Sequence, residues 1–261
     1  MKRTFSLLLA LMMLTLASSS CSFFRSAGIQ SRRHVLPDQR ISIEEVYSSR
    51  DHLGIYGRLY RPVGVKGRLP LVILSHGFGV THRDGEGYAE LLTRMGYLCY
   101  TFDFNGGGRE SLSAGATTDM SVLTEQADLN AVIDQLKRRS DVDPRYITLL
   151  GLSQGGLVSA LTAASRPDDI ASLILIYPAF SIPEMVRKQW GEYRNIPLEN
   201  TLWGMRLGEK YYKDVWNIDP YAVIGRFQGP VLILHGDRDR IVEQSVSDRA
   251  ATIYKNAEYH V

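Results

Sequence analysis

The sequence predicts an α/β fold, a doubly wound and mostly parallel sheet with helices on both faces. Two observations carry this. Five short apolar runs have the length and composition of strands buried on both faces. Helical stretches separate those runs, which is the alternation that parallel sheets need. A third observation bounds the answer: 261 residues, 44% hydrophobic and 22% charged, suffice for one large domain. A net charge of +2 without a basic run argues against a nucleic-acid partner.

Taken in order, the chain opens with Lys2 and Arg3, an apolar run from Leu7 to Leu16, and the small residues Ala17 to Ser20 before Cys21. The run is too short to span a bilayer, so residues 1–21 are expected to be an export signal. Small residues ahead of a cysteine resemble a bacterial lipoprotein processing site, although Ser18 stands where that pattern has leucine. Lipid on Cys21 is then the one expected membrane contact, and the expected place is the periplasm or the outer membrane, with plain secretion as the alternative. Residues 22–40 read as a tether and residues 41–261 as the folded domain.

Within that domain ISIEEVYS (41–48) and HLGIYGRLY (52–60) predict an opening antiparallel pair, with Gly64 and Gly67 in the turn after it. LPLVILSHG (69–77), YLCYTFDF (97–104), YITLLG (146–151), LILIYPA (173–179) and VLILHGD (231–237) predict the buried strands. Tyr88–Met95, Leu123–Arg139, Gly156–Ala164 and Val246–Tyr254 predict helices between and after them. From Ser181 to Arg226 the strand rhythm lapses, and this stretch holds Trp190, Trp203 and Trp216. An insertion of that length reads as a small cap, about 181–226, over a site. Cys99 sits in an apolar run and reads as a small buried hydrophobe. No cysteine–histidine cluster has metal-ligand spacing.

The central chemical signal is Gly151-Leu152-Ser153-Gln154-Gly155, set between a strand and a helix. There the serine occupies a sharp turn that exposes Oγ at the carboxyl edge of the sheet, and glycines flank it because the backbone crowds. Ser153 is the expected nucleophile. Ser75-His76-Gly77-Phe78-Gly79 follows a buried strand, where the Phe78 backbone N–H can join that of Gln154 in an oxyanion hole. The His76 side chain reads as structural, holding its loop. Asp103, in DFNGGGRES (103–111), reads as a loop-securing carboxylate. In HGDRDRIV (235–242) both Asp237 and Asp239 can be the acid that orients a histidine base; Asp239 is preferred, with Asp237 holding the loop.

These residues resemble the α/β-hydrolase superfamily, in the serine aminopeptidase (S33) and monoacylglycerol-lipase-like branch. SHGF, DFNG, the helix VLTEQADLNAVIDQL, GLSQGG and HGDRDRIV carry a closer resemblance to bacterial cinnamoyl (feruloyl) esterases. The resemblance runs from about residue 40 to the end. It implies Ser153 as nucleophile, Asp239 as acid, Phe78 and Gln154 as oxyanion donors, a cap that shapes the acyl pocket, and no metal or organic cofactor. The implied activity is hydrolysis of carboxylic esters, small or glycan-linked, through an acyl-enzyme. A peptidase- or lipase-like hydrolase is the first alternative, and an inactive binding protein lacking the base is the second.

Two departures stand out. Gly107 occupies a position that is often histidine in relatives. The family's base histidine follows the acid by roughly 25–30 residues, beyond the last strand, whereas Val261 falls inside EYHV, where that strand is expected. His260 is the one histidine after Asp239, and a strand position would aim it at a face of the sheet. The sequence therefore predicts that the family's final strand and helix are cut short and that these 261 residues are impaired as a catalyst.

Overall fold

The structure, a computed structural model, describes residues 40–261. The expected export signal, Cys21 and all of the tether but Arg40 lie outside the described residues. Strands β1 (Ile41–Arg50) and β2 (Leu53–Pro62) form an antiparallel hairpin in which Ile41 faces Pro62 and Arg50 faces Leu53. The chain continues through β3 (Leu69–Ser75), helix α1 (Glu86–Arg94), β4 (Leu98–Phe102), α2 (Val122–Leu136), β5 (Val142–Leu152), α3 (Gln154–Ser165) and β6 (Ser172–Ile176). An insertion follows: α4 (Ile182–Trp190), the hairpin β7 (Glu199–Leu202) and β8 (Met205–Gly208), α5 (Glu209–Val215) and α6 (Pro220–Val223). Then come β9 (Val231–Leu234), α7 (Gln244–Ile253) and β10 (Ala257–His260).

Eight strands make one sheet in the order β1-β2-β4-β3-β5-β6-β9-β10. β2 meets β4 antiparallel, and every neighbouring pair from β4 to β10 is parallel. The doubly wound, mostly parallel sheet predicted from the sequence is thus the fold. β3, β4, β6 and β9 are buried at every residue, as continuous apolar runs require, while edge strand β1 is largely exposed. Side chains alternate between two core layers, Leu71, Ile73 and Leu149 on one face and Val72, Leu74 and Leu150 on the other. Cys99 lies in the second layer, where burial pushes its thiol up to about 12.

Local chemistry sets several boundaries. α2 starts at a capping box: Ser121 Oγ accepts from the Thr124 N–H at 3.2 Å, and Thr124 Oγ1 accepts from the Ser121 N–H at 2.8 Å. A register shift between Leu69 and Leu71 lets β5 run back to Val142, through Pro144, which the apolar run YITLLG does not announce. Gly57 of β2 lies against the Tyr100 ring, where a methyl group would overlap the phenol; Tyr100 Oη donates to the Val46 carbonyl at 2.8 Å.

Candidate active site

β5 ends at Leu152 and α3 begins at Gln154, so one residue makes the reversal. That residue is Ser153, with φ 52° and ψ −117°, a strained conformation for a residue with a side chain. Its backbone is held from both ends by the last residue of β6 and the turn after it. The Ser153 N–H donates to the Ile176 carbonyl at 3.0 Å, and the Ser153 carbonyl accepts from the Ala179 N–H at 2.9 Å. The predicted crowding is present. A methyl group on Gly151 would overlap the Gly155 carbonyl oxygen, and one on Gly155 would overlap the carbonyl oxygens of Ser75 and His76. Gly156 is equally constrained, because a methyl group there would sit 2.9 Å from Pro178 Cα.

The loop after β3 runs directly against Ser153. A methyl group on Gly77 would lie 3.4 Å from Ser153 Cβ and 4.0 Å from its Oγ. Phe78 comes next, and among the described residues nothing accepts a hydrogen bond from its N–H. Gln154 opens α3, so its own N–H has no partner within the helix and adds to the positive end of the helix dipole. His76 holds this loop rather than entering the chemistry. Its Nδ1 lies 2.7 Å from the Gly77 carbonyl oxygen and its Nε2 accepts from the Phe104 N–H at 3.2 Å, while burial lowers its pKa and keeps the ring neutral.

The DFNG segment (103–106) is structural in the way expected. Burial would raise the Asp103 pKa, but bonds from His82 and Leu112 prevail and hold it below the usual range. They are the His82 N–H at 2.6 Å, His82 Nδ1 at 2.8 Å and the Leu112 N–H at 2.7 Å. Gly107 has no room for the histidine of relatives, since a Cβ would meet Phe104 Cβ at 2.8 Å and His76 Cε1 at 3.2 Å.

At the acid loop one expectation needs correcting. Asp239, not Asp237, holds the loop: its Oδ1 accepts from the N–H groups of Ile241 at 2.8 Å and Val242 at 3.1 Å. Its Oδ2 has no backbone donor and lies 3.8 Å from His235 Nε2. The Asp237 side chain is 72% exposed against 20% for Asp239, and its nearest cation, the Arg238 Nε, is 4.0 Å away. His235 has both nitrogens occupied, Nδ1 by Ser247 Oγ at 2.7 Å and Nε2 by the Val242 carbonyl at 2.9 Å. His260 closes β10 beside Leu234, and its Nε2 lies 2.8 Å from Glu258 Oε1. Among the described residues no imidazole is within hydrogen-bond distance of Ser153 Oγ.

Two residues that sequence reasoning missed complete the site. The buried Gln154 side chain donates from Nε2 to Glu125 Oε2 at 2.9 Å, and its Oε1 accepts from Tyr211 Oη at 2.7 Å. Glu125 belongs to α2 and Tyr211 to α5 of the insertion. The available signal was helical spacing: Glu125 and Asp128 share the buried face of Val122, Leu129 and Val132. In the insertion, Trp190 packs edge-on to Tyr212 and Trp216 to Tyr193. Trp203 differs. It sits at the β7–β8 turn with φ 46°, is 64% exposed, and meets Phe78 edge-on at 5.6 Å.

Comparison with known proteins places these features in context. Residues 68–216 match the family model described as serine aminopeptidase, S33. The chain is 24% identical over 248 residues to human monoglyceride lipase, covering 79% of this chain and 80% of the lipase. An uncharacterized protein of Mycobacterium tuberculosis is 29% identical over 233 residues, covering 87% of this chain and 72% of its own length. Among solved structures, ferulic acid-bound Est1E from Butyrivibrio proteoclasticus superposes with a TM-score of 0.76 at 30% identity, over 82% of this chain and 88% of that one.

Proposed function

The chain belongs to the serine aminopeptidase S33 family and is an α/β serine hydrolase of esterase or lipase type, and from that premise we propose that it cleaves carboxylic esters through an acyl-enzyme on Ser153. The observation that carries this reading is the strained Ser153, held by the end of β6 and the turn after it, with Gly77 against its side chain. Ser153 Oγ attacks the acyl carbonyl and the N–H groups of Phe78 and Gln154 receive the oxyanion. The alcohol leaves, and water then releases the acid. The resemblance implies a histidine base oriented by the acid, and Asp239 Oδ2, which has no backbone donor, is the oxygen free for that contact. His260 ends β10 with its Nε2 2.8 Å from Glu258 Oε1, and no hydrogen bond joins it to Ser153 among the described residues.

For the acyl group we propose a hydroxycinnamate. The exposed Trp203 ring and the edges of Phe78 and Tyr211 form an aromatic row beside the nucleophile loop, suited to a planar phenolic acyl chain. The likeness to Est1E, solved with ferulic acid, supports the same choice. Kinetics of the full-length gene product on methyl ferulate and on a short aliphatic ester test it. A kcat/KM at least tenfold higher for the ferulate is expected, and a preference for the aliphatic ester removes the hydroxycinnamate reading while leaving the hydrolase intact. Export with lipid on Cys21 remains part of the proposal, and the intact mass of protein from the membrane fraction checks it.

A further inference from the structure

The oxyanion donor that follows the nucleophile belongs to a residue whose side chain is bound at both ends. Gln154 is 1% exposed, and its amide spans Glu125 of α2 and Tyr211 of α5. Three elements far apart in sequence thus converge on one amide group. An amide with both its donor and its acceptor engaged has no free rotation, so the Gln154 Cα and its N–H inherit the positions of α2 and of the insertion. Oxyanion donors act by preorganisation, and small displacements are costly. We propose that Glu125 is a positioning residue for the oxyanion hole, acting through the Gln154 side chain, and that Tyr211 ties the insertion to the same donor. This rests on the reading of Gln154 as an oxyanion donor.

The protonation of Glu125 gives the clamp a signature. Burial pushes its carboxyl up to about 8, Asp128 adds to the rise, and the Gln154 bond opposes it. Its Oε1 is buried without a partner among the described residues. The charged and titratable groups around it are few. Asp128 lies on its own helix and is pushed up to about 6 by burial; it is paired with Arg50 of β1 at 2.5 Å. Tyr211 and the Lys210–Asp214 pair lie on α5, with Asp214 accepting from Ser121 Oγ at 2.5 Å. α3 carries no ionisable residue. Below about 8 Glu125 is neutral and still accepts from Nε2. Above it, a buried carboxylate stands one side chain away from the developing oxyanion, so kcat falls on the alkaline side.

The experiment compares kcat and KM of the full-length gene product with Glu125→Ala, Glu125→Gln and Tyr211→Phe, across pH 6 to 10. Glu125→Ala is expected to lower kcat by about tenfold or more with KM within about twofold, since losing an oxyanion donor outright costs roughly 10²–10³. Tyr211→Phe shifts kcat in the same sense by a few-fold. Glu125→Gln keeps the neutral shape, so it retains most of kcat at pH 7 and loses the alkaline fall near 8. A second readout needs no turnover. The side-chain amide ¹⁵N–¹H resonances of Gln154 should titrate with a midpoint near 8 in the wild type and stay flat in Glu125→Gln. Wild-type kcat in Glu125→Ala, a loss confined to KM, or Glu125→Gln as damaged as Glu125→Ala would overturn the proposal. Ester turnover without the Gln154 titration also overturns it and spares the hydrolase reading. Titration without any ester turnover sinks that reading and the positioning role with it, leaving only a side-chain contact.

Discussion

Two ends of one sheet edge are built very differently. At the turn after β5 the backbone dictates almost every residue: Ser153 is strained, two bonds from the end of β6 and the turn after it hold it, and three glycines have no room for a Cβ. At the turn after β9 a single carboxylate organises the loop by accepting two N–H groups, and its neighbours face solvent. The proposed nucleophile, Ser153, is fixed by steric exclusion, which tolerates no substitution at the glycines around it. The proposed acid, Asp239, is fixed by hydrogen bonds that a similar side chain can partly reproduce. Damage at the first turn should therefore be abrupt and at the second graded.

The largest expected effect is chemical. Ser153→Ala in the full-length gene product should lower kcat by about 10⁶ with an unchanged thermal transition, because loss of the nucleophile leaves only the oxyanion hole and binding. Residual turnover near wild type would remove Ser153 from the reaction. Asp239→Asn should cost about 10⁴ in kcat, whereas Asp237→Asn, at an exposed side chain, should cost less than about threefold. Reversal of that order would break the comparison at the acid loop. Gly155→Ala should destabilise the fold by about 2 kcal/mol or more, read by urea denaturation, because its methyl group would overlap the Ser75 and His76 carbonyls. A wild-type midpoint there would mean the elbow is more compliant than its packing indicates. Smallest is His260→Ala, expected to change kcat by less than about twofold, since that ring is held by Glu258. Loss of activity in this variant would make His260 the base.

What could be read from the sequence follows the same division. Ser153, Gly151 and Gly155 were legible because a strand, a reversal and a helix leave their mark in consecutive residues, and the continuous apolar runs of β3 and β9 announced buried parallel strands. Asp239 was separable from Asp237 only by the resemblance, and the loop-holding role was assigned to the wrong one of the two. Side-chain direction within a short loop has no periodicity to reveal it. Glu125 and Tyr211 were missed for a related reason: they meet Gln154 across sequence separations of 29 and 57 residues. Glu125 left a trace as a carboxylate on an apolar helix face, while Tyr211 was one aromatic among many in the insertion. Trp203 could not be told from Trp190 and Trp216 until the hairpin turn placed it outside.

The burial of Cys99 has a practical consequence. It stands in β4 with Val72 of β3 on one side and Tyr60 of β2 on the other, completely covered, its thiol pushed up to about 12. A thiol-reactive reagent reaches it only when the centre of the sheet parts. Alkylation of the Cys99 peptide, followed by mass spectrometry at increasing reagent concentration, thus clocks rare openings of the native ensemble without added denaturant. Its rate measures how firmly the scaffold holds the edge on which Ser153 sits.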